Sequence, residues 1–371
     1  MDLGLTSTTV LWAAVLAAGA LFAVTVWRWP RLAGRGPLPV LGRVGLLAAV
    51  QLSLFAVVAL AANRTFLFYG SWADLLGREQ GPGVVVDHSA GRGAGSVRVL
   101  GREDAPGAPG GRIEKVAVSG GESGIASPAL VYLPPEYVRA GHRGRDFPAA
   151  VVLTGYPGTA ENLITGLDYP RTAYRLVQEG RMKPMVLVMM RPTVAPPRDT
   201  ECVDVPGGPR TETFFGRDLP RAVSSAYRIG SAARSWGIIG NSTGGYCALK
   251  IAMHHPERYA AGAGLSAHYR APEDVTTGDL FGGDQRLRNR ADLLWSLDHH
   301  VPGRAPRSSF LVTTSREGES ERAATLDFIA RVRPPARVSS ITLDSGGHNF
   351  TTWRREVPPA LEWLGGRLSA G

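Results

Sequence analysis

Between Ser235 and His255 the chain reads SWGIIGNSTGGYCALKIAMHH, and the architecture can be read outward from this stretch. Trp236–Ile239 is a short apolar run of strand type that stops at Gly240. Beyond the next four residues, Tyr246, Leu249, Ala252 and Met253 recur at helical spacing. Between the two lies Gly240-Asn241-Ser242-Thr243-Gly244, a G-x-S-x-G. In a Gly-rich chain this pattern carries little weight alone, and a capping serine in an ordinary turn is the competing reading. A strand entering it and a helix leaving it give it chemical meaning, because flanking glycines remove Cβ clashes and leave the serine hydroxyl projecting. The N–H of Thr243, at the start of that helix, then points to where an acyl oxyanion would form.

A serine hydroxyl is a poor nucleophile unless a base takes its proton, so Ser242 requires a histidine further along the chain. His348 fits: it sits in SGGHNF, a loop after the strand-like VSSITLD and before the last helix. His268 follows a strand one position too early, His254 and His255 end the helix after the turn as carbonyl caps, and His299 and His300 lie in a polar loop. The acid that orients the base is expected after SSFLVTTS, where Glu317, Glu319 and Glu321 compete. Glu319 is favoured by its place near the strand end, and Asp344 reads as structural. A second oxyanion donor is expected in LTGYPGTAEN: Pro157 has no N–H, which leaves Tyr156 first and Gly158 as the alternative.

The rest of the chain from Ile113 alternates in the same way. IEKVAVSG and ASPALVYLPPEY read as two antiparallel strands, and AAVVLTG, PMVLVMM, SWGIIG, AAGAGLSA, SSFLVTTS and VSSITLD follow as strands. Helices are expected around Ala173–Glu179, over Leu219–Tyr227, after Gly244, over TLDFIARV and near Pro359–Leu368. Such alternation predicts an α/β fold, a mostly parallel sheet with helices on both faces. A long Pro/Gly-rich excursion, Arg191–Thr213, follows one strand at its C-terminal end and is expected to border the substrate cleft.

Ahead of this domain the composition changes. Val10–Trp27 and Val44–Ala62 are uncharged apolar runs, each about as long as a bilayer core requires. The segment between them carries Arg28, Arg31, Arg35 and Arg43 without an acidic residue. The positive-inside rule puts it in the cytoplasm and everything after Ala62 outside. A cleaved leader followed by a buried helix is the competing reading, against which no basic stretch precedes Val10. RTFLFYGSWADLLG is expected at the membrane interface. The domain expectations are therefore 1–77 for the anchor, 78–112 for a Gly/Pro-rich linker with room for one hairpin, and 113–371 for the catalytic domain.

With 371 residues, 44% hydrophobic and 20% charged, the chain is neither disordered nor fibrous. Its net charge of +9 comes without a run of five or six like charges or a basic stripe interleaved with aromatics, which argues against nucleic-acid binding. Cys202 and Cys247 are the only cysteines. Both are expected outside the cytoplasm, where a bridge would tie the excursion over the nucleophile. The alternative is a small buried thiol at Cys247 and an unpaired Cys202. No metal motif, P-loop or dinucleotide fingerprint is present, so no cofactor is expected.

Four stretches, SGIASPALVYLPPEY, LTGYPG, GNSTGGYCAL and SGGHNFTTW, resemble the esterase D and antigen-type mycolyltransferase group of α/β-hydrolases, relatives of feruloyl and siderophore esterases. The likeness covers about Ile113 to Leu368. It implies an α/β-hydrolase fold with Ser242 as nucleophile, His348 as base, and Tyr156 and Thr243 as oxyanion donors. The acid varies in position among these relatives. A membrane hairpin ahead of such a domain resembles actinobacterial cell-envelope hydrolases. The expected function is an extracytoplasmic serine hydrolase cleaving a carboxylic ester at the membrane or wall: an acylated glycan, a lipid or an aminoacyl lipid. Acyl transfer through the same triad and an inactive hydrolase-like scaffold are the alternatives.

Overall fold

The computed structural model describes residues 7–66, 72, 95–139, 144–194, 198–299 and 307–370. It forms two compact units, Met1–Pro82 and Gly83–Gly371.

The first unit is a helical hairpin. Helix α1 (Thr8–Arg28) starts where the Ser7 hydroxyl accepts the Thr9 N–H at 3.2 Å, and α2 (Pro37–Phe66) packs against it. Thr8–Leu32 and Pro37–Arg64 are each long and apolar enough to cross a membrane. Trp12, Leu16, Phe22, Phe55 and Val58 lie on the outside of the pair, which suits lipid and would be costly in water. The basic connection is braced at its start, where the Arg31 guanidinium lies 4.7 Å from the centre of the Trp27 ring. Of the segment expected at the interface, residues 64–66 and Trp72 are helical, and the remainder falls outside the described residues.

In the second unit the strands are β1 (Ser96–Asp104), β2 (Arg112–Ser119), β3 (Ala126–Leu133), β4 (Ala149–Leu153), β5 (Val186–Met190), β6 (Trp236–Asn241), β7 (Ala261–Leu265), β8 (Ser309–Glu317) and β9 (Arg337–Ser345). They form one sheet in the order β1-β2-β3-β5-β4-β6-β7-β8-β9. The first three strands and the β3–β5 pair are antiparallel; from β5 to β9 all pairs are parallel. The central strands β4, β5, β6 and β7 are buried along their whole length, as expected for a sheet covered on both faces.

One face carries α3 (Ala160–Thr165), α4 (Tyr169–Gln178) and the last helix, in a core that includes Leu163, Leu176, Trp353, Val357 and Leu361. The other carries α5 (Leu219–Ala226) and α6 (Thr243–His254), with α7 (Gln285–Ala291), α8 (Leu293–Asp298) and α9 (Arg322–Arg331) beside them. The last helix, α10, spans Phe350–Gly365. It starts well ahead of the expected Pro359 because Asn349 caps it, its Oδ1 accepting the Thr352 N–H at 3.1 Å. Buried Trp353, Val357, Ala360, Leu361 and Leu364 recur at helical spacing, and that apolar face carries the helix past Pro358 and Pro359.

The expected linker 78–112 is corrected at its C-terminal end. Ser96–Asp104 pairs residue by residue with β2, with a bulge between Val99 and Gly101, so the sheet begins at Ser96 and ahead of Ile113. The strand is largely exposed on both faces, as an edge strand is; SVRVL at its start reads as strand-like, but nothing in it signals membership of the sheet. It is held by charge as well as by the ladder: Glu114 on β2, whose side chain is 6% exposed, binds Arg102 at 2.7 Å and the Tyr227 hydroxyl at 2.9 Å.

Candidate active site

Strand β6 delivers Ser242 into a turn whose backbone is φ 56°, ψ −126°, a conformation L-residues avoid. The turn is held there by close packing. A Cβ on Gly244 would strike the carbonyl oxygens of Leu153 and Thr154, and one on Gly240 would strike the Gly244 backbone. The Ser242 N–H bonds the Leu265 carbonyl of β7 at 3.0 Å. The loop after β4 presses on the same turn, since a Cβ on Gly155 would lie 2.9 Å from that of Ser242.

His348 lies in the loop between β9 and α10, with its Nε2 2.8 Å from Ser242 Oγ. Trp353 supports the imidazole edge-on, with ring centres 5.2 Å apart. On the far side, His348 Nδ1 faces Glu319 Oε1 at 3.9 Å; the Glu319 side chain is fully buried and that of His348 is 45% exposed. The other Glu319 oxygen accepts the Ser266 hydroxyl at 2.9 Å. Ser266 itself, at the end of β7, has φ 44° and donates its N–H to Thr313 Oγ1 of β8. Of the three competing acids only Glu319 faces His348. Glu317 ends β8 with an exposed side chain, and Glu321 precedes α9. Asp344 is solvated beside Arg316.

The other histidines among the described residues are engaged elsewhere. His268 binds Glu201 at 3.1 Å and stacks on Tyr246 with ring centres 4.7 Å apart. Burial works against its charged form, but the negative charges of Glu201, Asp199 and Glu321 together outweigh it and raise its pKa. His254 and His255, expected as carbonyl caps, instead face the buried carboxylate of Glu212 with Lys250 and Arg290. Of the two oxyanion candidates in the β4 loop, Gly158 has its N–H committed to the Gly155 carbonyl at 2.8 Å.

The excursion is stapled to the elbow helix. Cys202 and Cys247 form a disulfide, and the buried Lys250 ammonium donates to the carbonyls of Glu201 at 3.2 Å and Cys202 at 2.6 Å. Glu201 and Cys202 both have positive φ, at 46° and 50°, a conformation these clamps hold in place. The staple brings Asp199 against the elbow, its Oδ2 3.4 Å from Thr243 Oγ1. Burial, reinforced by the Glu201 charge, pushes Asp199 up to about 7. The folded state thus holds a proton on Asp199 that the unfolded chain releases near its ordinary value. This contribution to stability is fully present below about pH 4 and is lost as pH rises through about 7. Thermal unfolding across pH 4–8 is expected to show that decline, at most about 1.4 kcal/mol per pH unit for one group. Asp199→Asn should make it shallower, and an unchanged slope in the variant would refute the assignment. Sequence reading does not single out Ser266, and it takes Asp199, Glu201 and Asp204 for a solvated loop rather than a cation site; Asp199 and Glu201 are instead buried, and positive φ at Ser266, Glu201 and Cys202 is the structural signal.

A strained strand-to-helix serine with a histidine on its hydroxyl, at the C-terminal edge of a mostly parallel sheet, defines the second unit as an α/β-hydrolase. The chain belongs to the Esterase family, whose model, described as "Putative esterase", matches residues 126–364. It is 26% identical over 254 residues to an uncharacterized protein of Corynebacterium glutamicum, and the match spans 65% of this chain and 58% of that relative. Similar solved structures include an S-formylglutathione hydrolase from Agrobacterium tumefaciens (TM-score 0.58, 17% identity, 73% of this chain and 100% of that one). A ferulic acid esterase matches with TM-score 0.58 and 16% identity over 70% of this chain and 99% of that one. A fluorophosphonate-binding serine hydrolase from Staphylococcus aureus matches with TM-score 0.54 and 15% identity, covering 74% and 99% of the two chains. At these identities the likeness is one of fold.

Proposed function

We propose that the protein is a membrane-anchored, extracytoplasmic serine esterase that works through an acyl-serine intermediate. The observation that carries this reading is the 2.8 Å contact between His348 Nε2 and Ser242 Oγ on a strained elbow, with a buried carboxylate behind the imidazole. In this reading His348 takes the Ser242 proton as Oγ attacks the ester carbonyl, then returns it to the leaving alkoxide as the tetrahedral intermediate collapses. Water repeats the sequence on the acyl-serine and releases the acid. Glu319 holds the imidazole and stabilises its charged form. The backbone N–H groups of Tyr156 and Thr243 hold the oxyanion; the second is the first N–H of α6, which has no partner within the helix.

The apolar hairpin and its basic connection support membrane anchorage with the catalytic unit outside, and the disulfide suits an oxidising compartment. The substrate is then an ester of the membrane or wall, on a glycan, a lipid or an aminoacyl lipid. The full chain in detergent should hydrolyse p-nitrophenyl esters and be labelled by a fluorophosphonate probe at Ser242. A folded chain showing neither would overturn the esterase reading. Labelling without turnover would favour acyl transfer to a hydroxyl acceptor.

A further inference from the structure

Behind the acid lies a second carboxyl group. Glu356, on α10, is fully buried, and neither of its carboxyl oxygens makes a hydrogen bond in the structure. It lies one turn beyond Thr352, which packs where Gly346 and Ser315 meet, and Trp353, which supports His348. The groups facing it are Thr313 of β8, Glu319 of the acid loop, Tyr169 of α4 and Arg355 of its own helix. Thr313 connects it to the acid: Thr313 Oγ1 accepts the Ser266 N–H at 2.9 Å, and the Ser266 hydroxyl donates to Glu319 at 2.9 Å.

Two neighbouring carboxyl groups in a dry site do not both ionise. Glu319 has the Ser266 hydroxyl and the imidazole to offset its charge, whereas at Glu356 the Thr313 hydroxyl and the Arg355 charge do not outweigh burial. The proton therefore resides on Glu356. Burial, opposed by Thr313 and reinforced by the Glu319 charge, pushes this group up to about 8. Thr313, the side chain that opposes the shift, is the acceptor open to that proton, since its Oγ1 still has a lone pair after accepting the Ser266 N–H.

We propose that Glu356 is a positioning residue: acting through Thr313 and Ser266, it sets the place of Glu319 and keeps that carboxylate the only charge behind His348. The inference rests on the Ser242–His348–Glu319 reading above. When Glu356 loses its proton, a second negative charge repels Glu319, the relay loses its donor, and the acid moves off the imidazole.

The test is the pH profile of kcat/KM for p-nitrophenyl butyrate, measured by pH-stat on the full chain in detergent, each profile normalised to its own maximum. The natural chain should decline above about pH 8 and Glu356→Gln, which cannot ionise, should not. Glu356→Ala should lower kcat about tenfold at constant KM, with Gln restoring most of it. A decline that persists in Glu356→Gln would overturn the inference. Should that variant not fold, Thr313→Val cuts the same relay and is expected to lower kcat by about tenfold, with Thr313→Ser normal; a Thr313→Val indistinguishable from the natural chain overturns it equally. Glu319→Gln separates the two levels. If it is as active as the natural chain, the triad reading fails and this inference with it. If it is inactive while Glu356→Gln keeps the decline, only the role of Glu356 is lost.

Discussion

Replacing Ser242 with alanine is expected to lower kcat for ester hydrolysis by about 10⁵-fold or more with little change in KM, and to abolish fluorophosphonate labelling. The magnitude follows from the geometry. Ser242 Oγ is the atom against which His348 Nε2 is set, and the strain of its backbone exists to hold it there. Alanine has the same Cβ and needs the same φ, so the elbow is expected to keep its shape and the loss should be chemical. Circular dichroism and the melting temperature of the variant check this. Near-normal turnover in a folded Ser242→Ala chain would move the chemistry to another residue and end the serine-hydrolase mechanism.

The second large effect is expected from Glu319→Gln, at roughly 10³–10⁴-fold in kcat. Glutamine is close to glutamate in size, but its neutral amide cannot stabilise the imidazolium that forms when His348 takes the proton. The Nδ1–Oε1 separation is 3.9 Å, longer than a hydrogen bond, and catalytic contacts of this kind commonly tighten as substrate binds. Ser266 makes the effect sharper. Its hydroxyl donates to the carboxylate, so an amide turned to accept that bond presents its NH₂ group to Nδ1 and favours the wrong tautomer. Activity within threefold of the natural enzyme would contradict the role given to Glu319.

What could be read from sequence here was whatever is local. The elbow announces itself because Gly240, Ser242 and Gly244 lie within five residues, and strand and helix flank them directly. His348 is legible for the same reason, in a Gly-rich loop between an apolar strand and a helix. Glu319 was one of three glutamates at alternate positions, and only the fold of Glu317–Arg322 shows which one turns inward. Ser266 and Asp199 gain their meaning from contacts across 53 and 44 residues of chain, to Glu319 and Thr243 in turn, and Glu356 from the charge of Glu319, 37 residues before it. No periodicity records such contacts. At Ser96 the strand-like SVRVL was legible, but its pairing with β2 was not, because an exposed edge strand carries no apolar face that marks it as part of the sheet.

That edge strand decides where the polypeptide can be cut. A truncation beginning at Ile113 would remove the whole of β1, and with it the hydrogen-bonding row that now covers β2. Glu114 would keep Tyr227 but lose Arg102, leaving a carboxylate at the rim of the core without its counter-charge, and Val116 and Val118 would belong to an unprotected outer strand. Such a fragment has every catalytic group and an adhesive margin, an invitation to pair with its own copies. An anchor-free enzyme has to start ahead of Ser96.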